Sequence, residues 1–158
     1  MARGIGHISF LSDECMNKSF GRKFSADTGL FDFFGKFTVE RYLEFYGYSF
    51  VEYFDANSFL YLAKALDLYD VAWGHESLEE AFGPVTAPFQ FFAFTSDWLY
   101  PPYQTEEMVK ALETIGKQVE YHLISSSYGH DAFLKEFKTF TPMVRRFIQQ
   151  AEERCRCF

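Results

Sequence analysis

The spacing of apolar residues changes about halfway along the chain. From Ser9 to Phe82 the apolar positions recur every three or four residues and are punctuated by glycines, a pattern typical of successive amphipathic helices. After the stretch GPVTAP the apolar residues instead form short continuous runs on either side of one more helical stretch. The pattern therefore predicts a helical first part followed by a mixed second part.

Polar residues mark where the helices of the first part begin. We expect caps at Ser12, Thr38, Asp55 and Ser77, because short polar side chains accept hydrogen bonds from the free N–H groups of a first turn. Ser77 is followed three residues later by Glu80, which is the spacing of a capping box. The helix that follows Asp55 is expected to pack its apolar side chains inward, namely Phe59, Leu60, Ala63, Leu66 and Leu68.

The second part alternates strands and helices. The runs PFQFFAFTS (Pro88–Ser96) and VEYHLISS (Val119–Ser126) are predicted strands, and their near-continuous apolar character is typical of strands buried on both faces of a parallel sheet. An amphipathic stretch, TEEMVKALETIGKQ, lies between them and is expected to stop at Gly116. A closing helix, PMVRRFIQQAEE, follows. This order predicts a right-handed parallel unit.

Two parallel strands do not form a sheet that stands alone, since such sheets need more strands and covered faces. The sequence contains no third convincing strand. We therefore expect this chain to be the C-terminal part of a larger α/β protein.

Composition and charge narrow the choice of partners. The chain is 48% hydrophobic and 23% charged, which is globular composition. Its aromatic share of 21% predicts either a core filled by aromatic side chains or aromatic faces that are buried against something else. A net charge of −7 and a pI near 5.1 argue against a nucleic-acid surface. No window approaches the roughly 20 apolar residues of a membrane span, and the first residues do not form a signal peptide. We expect neither nucleic acid nor membrane as a partner.

Cysteine usage indicates the compartment. There are three cysteines without a regular framework, which predicts a reducing, cytoplasmic location. Cys155 and Cys157 have the spacing of a metal half-site, but no second pair or nearby histidine completes it. We expect no metal.

Chemistry-bearing residues follow each predicted strand. Asp97 comes after the first strand and His130 lies in the loop after the second. Functional residues of open α/β sheets lie outside the carboxyl ends of the strands. An acid followed by a histidine is also the α/β-hydrolase order. Alone, Asp97 could cap a turn and His130 could be solvated surface. Their joint placement favours a catalytic pair in which the acid orients the base.

Three stretches resemble the C-terminal half of the homoserine O-acetyltransferase family, of the α/β-hydrolase superfamily. They are DANSFLYLAKALDLYD, TSDWLYPPYQTEEMVKAL and YGHDAFL, and the similarity runs from about Ala2 to Ile148. The resemblance implies acetyl transfer from acetyl-CoA, as co-substrate, to the hydroxyl of homoserine, with no further cofactor. It implies an α/β fold in which a helical lid, residues 1–83, precedes the C-terminal β-α-β-α portion of a hydrolase core, residues 84–158, with an incomplete parallel sheet. It also implies a homodimer formed through the lid helices.

The resemblance assigns roles to individual residues. Asp97 matches the family's triad acid and His130 its triad base. Asp131 matches the acid that receives the substrate's amino group, and Arg3 matches the arginine that receives its carboxylate. Phe10 stands where many members carry a tyrosine, so the hydroxyl at that position is missing.

The nucleophilic serine of the family lies on a Gly-x-Ser-x-Gly-like elbow, and this sequence contains none. Ser49, in GYSFV, lacks the second glycine and falls in a predicted helix. We therefore expect the chain to be inactive by itself. A homoserine O-succinyltransferase or an esterase on the same scaffold, and a non-enzymatic helical interaction module, remain alternatives.

Overall fold

The computed structural model describes residues 2–25 and 33–156. The chain forms two compact units that divide between Tyr69 and Asp70. The first unit is helical and the second is mixed, so the change in apolar spacing corresponds to a real change in architecture.

The described residues of the first unit form four helices, α1 (Ala2–Phe10), α2 (Asp13–Ser19), α3 (Thr38–Tyr53) and α4 (Ala56–Leu68). Helix α1 packs against α3 through His7, which is buried. The imidazole of His7 stacks on the ring of Tyr46 at 4.3 Å, and its Nδ1 lies 3.1 Å from the hydroxyl of Tyr42. An aromatic contact therefore joins these two helices.

The helix caps follow the sequence prediction with one exception. Ser12 Oγ accepts from the N–H of Cys15 at 3.0 Å, and Asp55 Oδ2 accepts from the N–H of Ser58 at 2.7 Å. The predicted cap at Thr38 is wrong, because Thr38 is the first helical residue and Phe37 is the N-cap. The Glu40 carboxylate compensates by accepting from the N–H of Phe37 at 2.7 Å.

The predicted inward packing of α4 is wrong. None of its residues is buried, and Leu60 and Leu66 are 63% and 72% exposed. The helix forms because Asp55 caps it and its sequence favours a helix, but within the described structure little packs against its apolar face. Apolar side chains in this helix therefore line an outer surface of the unit.

As far as residue 156, the second unit contains two strands and four helices besides a 3₁₀ turn. In chain order these are α5 (Leu78–Phe82), β1 (Phe89–Phe94), α6 (Pro102–Thr114), β2 (Val119–Ile124), the 3₁₀ turn Gly129–Asp131, α7 (Ala132–Lys135) and α8 (Phe137–Arg156). At the start of α5, Ser77 Oγ accepts from the N–H of Glu80 at 3.3 Å, whereas the Glu80 carboxylate accepts from the N–H of Glu76 at 2.6 Å. The second half of the predicted capping box is thus shifted by one residue.

The two strands pair in parallel, with Phe89 opposite Val119 and Phe94 opposite Ile124. The predicted parallel β-α-β-α order is therefore confirmed, and the described residues form an incomplete sheet of two strands. The strands are not buried on both faces as expected. Only their carboxyl-terminal residues are buried, and Leu123 is 50% exposed. Such exposure is what a sheet with missing neighbours leaves open.

Two helix boundaries differ from the sequence pattern. Helix α6 begins at Pro102, before the predicted Thr105, because proline suits the first helical position. Its last residue is Thr114, and Gly116, the predicted stop, follows the C-cap residue Ile115 with a φ of +69°. Helix α8 begins at Phe137, so Pro142 lies inside it rather than at its start. That proline removes one intrahelical donor, which the helix tolerates.

The core of the second unit lies at the carboxyl ends of the strands. Phe94, Ile124 and Ala132 are buried together, and partly buried Phe92, Tyr128 and Phe140 pack against them. This core therefore holds the loops that follow the two strands. No helix among the described residues is long and apolar enough to cross a membrane.

Candidate active site

Asp97 is fixed by the turn that follows β1. Its carboxylate is buried, and Oδ1 accepts from the N–H groups of Leu99 at 3.0 Å and Tyr100 at 2.9 Å. Its own N–H donates to the carbonyl of Phe94 at 3.1 Å. Three hydrogen bonds therefore leave Oδ2 pointing in a defined direction.

His130 meets that second carboxylate oxygen. It lies in the 3₁₀ turn Gly129–Asp131, and its Nδ1 is 2.9 Å from Asp97 Oδ2. Because an ionised carboxylate only accepts hydrogen bonds, Nδ1 carries the proton in this pair and the ring lone pair is on Nε2. The histidine side chain is 25% exposed and the aspartate side chain 7%. The geometry suits a base that is oriented by a buried acid.

Aromatic rings border the histidine. The ring of Tyr100 is 5.1 Å from the imidazole and the ring of Phe133 is 5.4 Å away. Together with Thr105 and the end of β1, they line a cavity of about 220 Å³ that contains both Asp97 and His130. The pair thus borders a space large enough for part of a small molecule.

Two polar side chains that the sequence reasoning did not single out connect the ends of the strands. Thr95 Oγ1 accepts from the N–H of Ser126 at 3.1 Å and donates to its carbonyl at 3.3 Å. Ser96 Oγ accepts from the N–H of Gly129 at 2.9 Å. Their position directly before Asp97, at the carboxyl end of a predicted strand, is the feature of the sequence that could have pointed to them.

The other two predicted site residues belong to different units of the chain. Asp131 follows His130 in the same turn and is half-buried; it is the N-cap residue of α7, but its side chain makes no capping hydrogen bond to that helix. Arg3 belongs to α1 in the first unit. Its guanidinium carbon is 4.6 Å from the ring centre of Phe50 and 5.5 Å from that of Phe10, and its Nε is buried without a hydrogen-bond partner in the described structure.

A bound metal ion would need several ligating side chains close together. Within residues 2–25 and 33–156, no three His, Cys, Asp or Glu side chains lie close enough to share a metal ion. The predicted half-site involves Cys157 and the side chain of Cys155, which lie outside the described residues.

A parallel β-α-β unit with an acid after one strand and a histidine after the next defines part of an α/β-hydrolase core. No protein-family model matches the sequence. Curated homoserine O-acetyltransferases do match: that of Geotalea uraniireducens is 73% identical over 152 residues, and that of Geobacter sulfurreducens 72%. Each match covers 96% of this chain but 41% of the relative. By this similarity the chain is homologous to homoserine O-acetyltransferases, and it spans about two fifths of their length.

Solved structures give the same fold. The homoserine O-acetyltransferase of Bacillus anthracis superposes with a TM-score of 0.80 and 28% identity, over 92% of this chain and 39% of that one. Esterase E22 superposes with a TM-score of 0.73 at 19% identity, over 91% of this chain and 40% of its own. At this identity the likeness to the esterase supports the fold and says nothing about function.

Proposed function

We propose that this chain supplies the acid and base of a homoserine O-acetyltransferase, which moves an acetyl group from acetyl-CoA to the hydroxyl of homoserine. The observation that carries the proposal is the contact of 2.9 Å between Asp97 and His130 at the ends of adjacent parallel strands. The sequence relatives named above support the choice of reaction.

In the proposed mechanism His130 acts twice as a base. It first takes the proton of a serine hydroxyl, which attacks the thioester carbonyl of acetyl-CoA, and then gives that proton to the departing CoA thiolate. It next takes the proton of the homoserine hydroxyl, whose oxygen attacks the acetyl-serine. The departing serine oxygen then receives that proton from His130. Asp97 stabilises the imidazolium in both halves. The serine is proposed to lie outside these 158 residues, because the sequence contains no nucleophile elbow.

We propose that Asp131 and Arg3 bind the two charged groups of homoserine. A carboxylate suits the ammonium group, and a guanidinium can hold a carboxylate through two hydrogen bonds. The buried Nε of Arg3 supports this role, because it has a donor to offer in the described structure. Phe10, beside Arg3, offers an aromatic face and no hydroxyl.

The remaining proposals concern assembly and location. Residues 1–83 are proposed as a lid whose helices form a homodimer in the cytoplasm. A groove of about 530 Å³ along α1 and α3, lined mainly by apolar residues that include Ile5, Ile8, Tyr48 and Val51, supports such an interface. Apolar grooves of this kind mark protein contacts in many proteins.

The test is complementation. The 158-residue chain is fused to the remaining segment of a close relative, and thiol release from acetyl-CoA is followed with homoserine present. The fused enzyme is expected to transfer acetyl, whereas the chain alone is not. His130→Ala should lower kcat/KM by roughly 10³ or more. His75→Ala, at an exposed histidine outside the site, is the matched control and should have little effect.

Two results would contradict the proposal. Robust transfer by the isolated chain that survives His130→Ala would place the chemistry elsewhere. Equal loss of activity in the His130 and His75 variants would show that the loss is not specific to His130 and would contradict its role as the base. Replacing acetyl-CoA by succinyl-CoA in the same assay distinguishes the succinyltransferase alternative, and an amine-free nitrophenyl ester distinguishes the esterase.

A further inference from the structure

Two consecutive residues after β1 hold two consecutive residues after β2. Ser96 Oγ accepts from the N–H of Gly129 at 2.9 Å, and Asp97 Oδ2 lies 2.9 Å from His130 Nδ1. The two residues of each pair are 33 positions apart in the sequence, so two adjacent contacts link the loops just beyond the sheet. The contact of Ser96 fixes the backbone next to the histidine, and the contact of Asp97 fixes the histidine ring.

The backbone N–H of Gly129 needs the hydrogen bond to Ser96. It is buried and its φ is +69°, a conformation that glycine adopts without a side-chain penalty. A buried N–H without a partner is costly, so the loop needs an acceptor at this point. The Ser96 hydroxyl is that acceptor. Thr95 anchors Ser126 further back in the loop and therefore acts less directly on the histidine.

We propose that Ser96 is a positioning residue for His130, acting through the N–H of Gly129. The role rests on the proposed function of His130 as the base. The hydroxyl fixes the turn Gly129–Asp131 so that the imidazole meets the Asp97 carboxylate with Nδ1 rather than Nε2. Without the Ser96 hydroxyl, Gly129 keeps its backbone conformation, but the turn loses the hydrogen bond that sets its distance from the end of β1.

The competing explanation is that Ser96 only stabilises the loop as any buried hydrogen bond does. The two explanations differ at the imidazole. A positioning role requires that the Asp97–His130 hydrogen bond weakens when Ser96 is replaced while the fold remains. A purely structural role changes the free energy of unfolding and leaves the imidazole as it was.

The test uses the 158-residue chain and three variants. Ser96→Ala removes the acceptor, Ser96→Thr keeps a hydroxyl, and Ser125→Ala alters an exposed serine of the same loop as the matched control. The chain is labelled with ¹⁵N-histidine, and a separate His130→Gln variant, used only for assignment, identifies the His130 signal among the four histidines. Nitrogen shifts report which ring nitrogen carries the proton, and a downfield proton resonance reports the bond to Asp97. A sedimented sample serves if the chain associates.

The expected result is specific to the hydroxyl. Ser96→Ala loses the downfield proton and mixes the two His130 tautomers, whereas Ser96→Thr and Ser125→Ala retain the signature of the original chain. Amide exchange at Gly129 should become roughly tenfold faster or more in Ser96→Ala, as expected for one lost hydrogen bond. An unchanged His130 signature in a folded Ser96→Ala variant would overturn the inference.

A second measurement needs no substitution and covers the case in which Ser96→Ala does not fold. In the unmodified chain the Gly129 amide is expected to be protected. Exchange at the rate of an unfolded peptide would overturn the inference. Neither readout uses acetyl transfer, so a failed complementation assay would leave this result unaffected and would count against the proposed function instead.

Discussion

One carboxylate performs two tasks at the end of β1. Asp97 Oδ1 accepts from the N–H groups of Leu99 and Tyr100, while Oδ2 faces His130 Nδ1 at 2.9 Å. Capping a turn and orienting a histidine, which are alternatives for an isolated aspartate, coexist here because each oxygen has its own partner. The turn holds the carboxylate in place so that the histidine finds it preoriented.

The double role predicts the effect of Asp97→Asn in the fused enzyme. The amide oxygen can still cap the turn, so the fold should persist. The amide nitrogen, however, donates and would favour the other tautomer of His130, which cannot accept the proton of the nucleophile. We expect kcat to fall by roughly 10³ or more with an unchanged circular dichroism spectrum. A fall of less than about tenfold would contradict the assignment of Asp97 as the triad acid.

Asp131→Asn is predicted to affect substrate binding rather than chemistry. Loss of the charge contact with the ammonium group should raise the KM for homoserine by roughly tenfold or more, since about 1.4 kcal/mol corresponds to tenfold in affinity. Turnover of an amine-free nitrophenyl ester should stay nearly unchanged. The measurement is the pair of kinetic constants on one variant. If both reactions fall together, Asp131 orients the turn that carries His130 and does not recognise the substrate.

The cap of α4 predicts a pH dependence. The pKa of Asp55 is lowered from its ordinary value of 3.8, first by the backbone N–H of Ser58 and then by its hydroxyl. A lowered folded-state pKa means that the cap stabilises the helix above the unfolded-state value and that this contribution is lost as pH falls through the folded value. Helical ellipticity should therefore be higher in the unmodified chain than in Asp55→Ala at neutral pH, and the difference should vanish in strong acid.

Asp67→Ala, in the same helix but away from its start, is the control for that comparison. It should leave the neutral-pH ellipticity close to that of the unmodified chain. A difference between Asp55→Ala and the unmodified chain that persists below the folded-state pKa would show that the aspartate acts through something other than its charge.

The exposed apolar face of α4 predicts self-association of the isolated chain. Leu60 and Leu66 are 63% and 72% exposed, and such side chains tend to become buried against another surface. Light scattering after size-exclusion chromatography should detect dimers or larger species. Leu66→Glu should shift the population toward the monomer, whereas Asn57→Glu, which adds the same charge on the same helix, should not. A monomeric profile with cooperative unfolding would contradict the prediction.

The sequence predicts the parts of this molecule that depend on local chemistry. The strands, the cap at Asp55 and the stop at Gly116 follow from side-chain type and spacing. The predicted burial of Leu60 and Leu66 is wrong, because an apolar stripe indicates a face that suits a partner without providing the partner. The meeting of Asp97 and His130 could be anticipated from parallel strand order. The hydroxyl of Ser96 could not, because its partner is a backbone N–H, and every residue except proline offers one.

Because one crossover leads from β1 through α6 to β2, the register of the two strands determines how Asp97 and His130 are placed relative to each other. Both members come from one contiguous stretch of polypeptide, and their separation is set by hydrogen bonds between neighbouring strands. Their alignment therefore does not depend on how distant segments dock. An enzyme assembled from pieces would receive the proposed acid and base already aligned, and only the nucleophile would have to be brought into line.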